Sequence, residues 1–199
     1  MRTDLLERHI TDTIKEWQMK IGYQEESMGL YYPDVSLKGL LELGEDAPGD
    51  ELDEALSVFA EEVKIRFGAV KISGDGGRYC IEIPPEGCRY VAEKIPDSDF
   101  LRKLLDVLDR KENDMAPVSR LFHEYAAQHG GSVLEEDREA EGLGRVFVFD
   151  REETDPYVYC MEQDDFGITY HRFSKPDYEK LISNNEKERH DTQECIMCK

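Results

Sequence analysis

Basic residues are scarce in this chain: 25 Lys and Arg stand against 45 Asp and Glu, for a formal charge of -20. A field of that sign repels nucleic-acid backbones and anionic membrane surfaces, so neither is an expected partner. Long apolar runs are missing as well, and no window approaches the roughly 18 consecutive apolar residues of a membrane-spanning helix. The start, Met1-Arg2-Thr3-Asp4, leads into an amphipathic stretch, so no secretory leader is expected. Cysteine is sparse and odd in number, at Cys80, Cys88, Cys160, Cys195 and Cys198. A chain of 199 residues can bury a core without disulfide staples, which makes reduced thiols in a cytoplasm the expected state.

Hydrophobic residues form 39% of the chain and include ten Tyr and eight Phe, too apolar and aromatic a composition for a disordered protein. The acids are unevenly placed. Glu42 to Glu62 holds nine acids and no Lys or Arg; Glu135 to Asp165 holds twelve acids against three Arg. These two windows account for nearly all of the net charge.

From Thr3, a plausible N-cap, Leu6, Ile10, Ile14, Trp17 and Ile21 recur at spacings of three and four, the stripe of one helix that Gly22 stops. Gly29 to Pro33 reads as a short extended piece, since Pro33 forbids a helix running through from Tyr31. A short helix with Leu37, Leu40 and Leu41 follows, and then a third with Leu52, Leu56, Phe59 and Val63, stopped at Gly68, whose outer face is mostly Asp and Glu. Beyond Gly68 the period changes to alternation. Ala69 to Ser73, a turn at Gly74 to Gly77, Arg78 to Ile83, a turn at Pro84 to Gly87, and Cys88 to Ile95 read as a three-stranded meander.

Pro96-Asp97 opens a helix carrying Phe100, Leu101, Leu104, Leu105 and Leu108. Pro117 opens another, with Val118, Leu121, Phe122 and Tyr125 inward and Gly130-Gly131 as its stop. Val133-Leu134, Arg145 to Asp150, Tyr157 to Glu162 and Ile168 to Phe173 make a second meander, followed by a helix near Pro176-Asp177 with Tyr178, Leu181 and Ile182. The expected organisation is a single α+β domain over residues 1–183, with antiparallel meanders and flanking helices. Residues 1–43 would be its helical N-terminal part, and 50–111 and 117–183 two sub-units. The shared order of elements in those two admits a tandem α-β-β-β-α duplication. Residues 184–199 are polar enough to be a disordered tail.

Chemistry-bearing motifs are few. Cys195-Ile196-Met197-Cys198 is a CxxC, with His190 nearby, but it lacks the four ligands of a structural zinc site and the helix N-terminus of a redox pair. The five histidines, at 9, 123, 129, 171 and 190, form no HxxxH or HExxH. His171, in a strand with Thr169 and Phe173, is read as a partly buried strand residue before it is read as a general base. Glu162, Asp164 and Asp165, and separately Asp150, Glu152, Glu153 and Asp155, make acidic loops that lack the spacing of a calcium loop. Gly74 to Gly77 joins two strands instead of opening a helix, so it offers no phosphate cradle. No cofactor or metal is expected.

The segments Gly29-Leu30-Tyr31-Tyr32-Pro33, Ile95 to Leu101, Asp155-Pro156-Tyr157-Val158-Tyr159-Cys160 and Thr169 to Phe173 resemble a family of bacterial proteins of unknown function from anaerobic gut Firmicutes. The resemblance covers most of residues 3–183 and implies no activity or site residue. The last third, strands followed by a helix on an acidic scaffold, is similar in outline to immunity-protein folds.

Two functional readings follow. One is a non-catalytic cytoplasmic binding module, inhibitor- or immunity-like, offering an acidic segment to a basic protein: Glu135, Glu136, Asp137, Glu152, Glu153, Asp155, Glu162, Asp164 and Asp165. An acidic surface that only maintains solubility stands beside it. The other is an enzyme acting on a small molecule in a pocket between the sheet units, lined by Tyr159, His171 and a buried carboxylate.

Overall fold

The computed structural model describes residues 3–44, 46–110, 113–179 and 181–183. The chain divides into two compact units, Met1–Ser98 and Asp99–Lys199.

In the first unit, helix α1 (Asp4–Ile21) buries Leu6, Ile10 and Ile14 completely, as their spacing requires. Its last turns depart from the expected stripe. Gln18 and Lys15 are buried, whereas Trp17 is half-buried and Ile21 is 56% exposed. A spacing of four advances the stripe around a 3.6-residue helix, and Lys15 enters the interior because Asp97 meets its ammonium at 2.9 Å. Thr3 precedes α1 without capping it; its hydroxyl bonds the Glu62 carboxylate instead. Gly22, at φ +84°, ends the helix by returning its N–H to the Gln18 carbonyl at 2.9 Å.

Strand β1 (Met28–Pro33) leads into α2 (Asp34–Leu40), and α3 (Gly49–Phe67) follows. The hairpin of β2 (Lys71–Asp75) and β3 (Arg78–Ile83) turns at Gly76-Gly77, both at positive φ, as expected. The third strand expected over Cys88 to Ile95 is instead a helix, α4 (Pro85–Lys94). Pro84 is extended, Pro85 takes the first helical position, and Gly87, Cys88 and Val91 are buried at helical spacing. Gly87 lets this helix sit against its neighbours. A Cβ there would lie 2.6 Å from Ile83 Cγ2 and 2.8 Å from the Phe67 carbonyl oxygen.

The third strand of the sheet comes from upstream: β1 pairs antiparallel with β3, Leu30 opposite Ile81 and Tyr32 opposite Tyr79, giving the order β1-β3-β2. Leu30, Tyr32, Ile72, Ile81 and Ile83 pack with the buried faces of α1 to α4 into one core. Each large apolar side chain in it contributes about 1.5–3 kcal/mol.

In the second unit, α5 (Asp99–Leu108) and α6 (Met115–Gln128) are followed by β4 (Val133–Arg138), β5 (Gly144–Phe149), β6 (Tyr157–Asp164) and β7 (Gly167–Ser174). These pair in chain order as the expected meander. Helix α6 starts two residues before Pro117 because Asp114 caps it, accepting the Ala116 N–H at 2.9 Å.

One sheet face carries Phe147, Phe149 and Tyr159, which meet Phe100 of α5 and Phe122 of α6. Phe122 stacks on Phe147 at 4.2 Å, and Phe100 meets Phe149 edge-on at 4.9 Å. The opposite face carries Val146, Val158 and Cys160, packed with Phe173, Tyr178, Leu181 and Ile182. Residues 175–179 and 181–183 are helical, as the Pro176-Asp177 start predicts. The α+β class with two antiparallel sheets therefore stands. The connectivity differs between units, since only the second sheet is a continuous meander. The tail from residue 184, with Cys195, Cys198 and His190, lies outside the described residues.

Candidate functional site

The acids of the second unit are largely engaged within it. Glu135, on β4, accepts from Ser119 Oγ at 2.6 Å, sits 2.9 Å from His123 Nε2, and receives Arg145 Nη1 at 3.2 Å. Partial burial opposes its ionisation, but the hydrogen bonds from Ser119 and His123 and the Arg145 charge outweigh it, holding the carboxyl below the ordinary range. Glu136 pairs with Arg138 at 2.8 Å, and the same guanidinium holds Glu141 at 2.9 Å. Those two carboxylates raise the Arg138 pKa.

Asp137 accepts the Glu139 N–H at 3.0 Å, and Glu152 pairs with Lys175 at 3.2 Å. Asp164 closes the β6–β7 turn by accepting from Phe166 N at 2.8 Å and Gly167 N at 3.1 Å. Asp155 is only 6% exposed, and accepts the Tyr159 hydroxyl and the Tyr157 N–H, each at 3.0 Å. Glu153, Glu162 and Asp165 remain exposed. The expected acidic segment is thus distributed over strands and turns, with Asp155 directed inward.

Tyr159 and His171 do not share a site. Tyr159 is fully buried opposite Arg172, whereas His171 pairs with Cys160 in register and is therefore on the other face of the sheet. His171 is also exposed, not partly buried, with its ring 6.3 Å from Phe173. Among the described residues, no group of three or more His, Cys, Asp or Glu could hold a metal ion.

The acids of α3 are arranged differently. Glu51, Glu54, Val58, Glu61 and Ile65 follow one line at spacings of three and four, and all are exposed; Ile65 is 97% exposed and Val58 37%. Glu61 meets Lys64 at 3.1 Å. Asp53, beside the line, accepts the Tyr79 hydroxyl at 2.9 Å; burial first, then that bond and the Asp53 charge, raise the tyrosine's pKa. Among the described residues, the side chains of Asp50, Glu51 and Glu54 have no hydrogen-bond or ion-pair partner. Leu52, Leu56, Phe59, Val63 and Phe67 anchor the opposite side of the helix in the core, which fixes the outer line in place. The sequence shows this outer face to be acidic. The two apolar residues within it are visible only once the buried side is known.

Each unit also has a cavity. In the second, an open cleft of about 350 Å³ is lined by residues including Met115, Asp137, Gly144, Arg145, Met161 and Glu162. Gly144, at φ +62°, allows β5 to approach β6 there; a Cβ would sit 2.2 Å from the Met161 carbonyl oxygen. In the first, about 380 Å³ lies beside Trp17, Gln18 and Cys88. No sequence motif marks either cavity, because their walls come from distant segments.

Two antiparallel sheets with packed helices define an α+β protein. The chain belongs to the family described as a domain of unknown function, E. rectale Gene description (DUF3877), whose match spans residues 3–182. This agrees with the expected resemblance to a family of unknown function from gut Firmicutes. No curated protein and no solved structure matches the chain.

Proposed function

We propose that this protein is a non-catalytic binding module whose recognition surface is the outer face of α3 and whose partner is a basic protein. One observation carries the reading: Val58 and Ile65 are exposed in line with Glu51, Glu54 and Glu61. The carboxylates of Glu51 and Glu54, which meet none of the described residues, steer a basic partner and disfavour acidic ones. Exposed apolar side chains within such a face supply the desolvated anchors on which affinity depends. A surface that served solubility alone would gain nothing from a 97% exposed isoleucine.

Inhibitors and immunity proteins directed at basic toxins or nucleases use this combination, and that is the kind of partner we assign. The reading places the protein in a reducing cytoplasm. No described helix is long and apolar enough to cross a membrane, and Cys80, Cys88 and Cys160 are free thiols, which fits that location.

The test is capture from native-host lysate at low and raised salt, with wild type, Ile65→Ser, and the double variant Glu51→Lys with Glu54→Lys. One basic protein, lost as salt rises and lost with both variants, is the expected result. Equal capture by wild type and both variants would remove α3 as the recognition face.

A further inference from the structure

The edge of a sheet presents a row of backbone donors and acceptors, and proteins blunt it with short strands, proline, charge or a bulge. Three of the four edges here are blunted. β1 has six residues and ends in Pro33, β2 has five with Lys71 and Asp75, and β4 carries Glu135, Glu136, Asp137 and Arg138. β7 has none of these devices. Its eight residues, Gly167–Ser174, pair with β6 without a bulge, contain no proline, lysine or acid, and have Arg172 as their one formal charge. Among the described residues, no strand lies on its other side.

Charge along this edge selects what fits it. Asp165, exposed in the β6–β7 turn, stands just before the strand, while Arg172 lies near its end and Lys175 just after it. The edge is acidic at one end and basic at the other. A strand of that kind complements a second copy of itself run antiparallel, because each basic end then meets an acidic one.

We propose that β7 pairs antiparallel with β7 of a second copy, joining two four-stranded sheets into one of eight about a two-fold axis at Tyr170. An axis normal to the sheet keeps each face continuous across the junction. Tyr170 lies midway between Asp165 and Lys175, so each Asp165 stands opposite the second copy's Lys175. Lys175 is 33% exposed beside Glu152 and remains accessible to this second acid. Phe166, 97% exposed at the tip of the turn, comes beside the second copy's Ser174 and is covered there. Repulsion between two chains of charge -20 is screened beyond about 8 Å at physiological salt. The inference is independent of the α3 surface.

Sedimentation equilibrium of the full chain at physiological salt tests it. A species of twice the 23.0 kDa chain mass is expected, with a Kd of about 10 µM or tighter, and amide exchange across Ile168–Ser174 should slow as it forms. Lys175→Glu sets two acids against each other and Asp165→Lys two lysines, so each variant alone is expected to dimerise about tenfold more weakly. Mixing the two variants is expected to restore the dimer, since every acid again faces a lysine. Circular dichroism checks that both remain folded.

A wild-type chain that stays monomeric at about 200 µM would overturn the proposal and leave the edge to an extended segment of another protein. Dimerisation unchanged in both folded variants, or a mixture no tighter than either variant alone, would overturn it as well.

Discussion

The two acid-rich stretches of this protein have similar charge and differ in how many of their acids are engaged, since on α3 only Asp53, Glu61 and Glu62 find partners. Along β4 to β7, carboxylates meet Ser119, His123, Arg138, Arg145, Tyr159, Lys175 and the backbone of their own turns. Along α3, Asp50, Glu51 and Glu54 meet none of the described residues, and Val58 and Ile65 are exposed among the acids. A strand meander brings distant segments side by side, so its acids find partners. The outer line of a helix packed on its other side faces away from the rest of its unit. Net charge in a window therefore does not indicate how much of that charge is available to a partner.

This contrast can be broken by substitution. Phe122→Ala removes the ring that stacks on Phe147 and meets Phe100 and Tyr159, and is expected to cost about 3–5 kcal/mol in urea denaturation. It sets the scale for the second unit's core. Asp155→Ala leaves the buried Tyr159 hydroxyl without its acceptor, with an expected loss of about 2–3 kcal/mol. A loss under about 0.5 kcal/mol would mean that Asp155 is no more engaged than a surface acid.

Glu135 sharpens the comparison through pH. Its folded carboxyl pKa lies below the ordinary value, so the folded state holds fewer protons than the unfolded one near that value. Its contribution is complete above the unfolded carboxylate pKa of about 4.3, and is lost as pH falls through the lowered folded pKa. Glu135→Gln should cost about 1 kcal/mol at neutral pH, a figure discounted for the side chain's partial exposure. Its stability should also fall less steeply on acidification than that of wild type. Parallel curves of stability against pH would contradict the engagement of Glu135.

The smallest effect is expected on α3. Glu54→Gln should change stability by less than about 0.5 kcal/mol while weakening capture of a basic partner. A stability loss comparable to that of Glu135→Gln would erase the distinction between the two stretches.

Much of the architecture is readable from residue order. The stripes of α1, α3 and α5, the Gly76-Gly77 hairpin and the second meander follow from helical and alternating periodicity with glycine and proline punctuation. Helix α4 was obscured because Pro84 to Gly87 suits both a turn and a helix start. The buried spacing of Gly87, Cys88 and Val91 was the signal that separates them. Among the candidate residues, sequence alone could not divide the acids into engaged and free. Glu135 and Ser119 are sixteen residues apart, and their bond exists only because β4 lies beside α6.

By itself the sequence determined the secondary-structure types apart from α4, the α+β class and the acidic balance, because these depend on local periodicity, turn chemistry and composition. Tertiary structure alone decided that β1 completes the first sheet, that Gln18 instead of Trp17 is buried, that Tyr159 and His171 face opposite ways, and which carboxylates remain available. The physical reason is the same in each case: strand partners, cavity walls and charge partners come from segments far apart in the chain, and their pairing is set by packing.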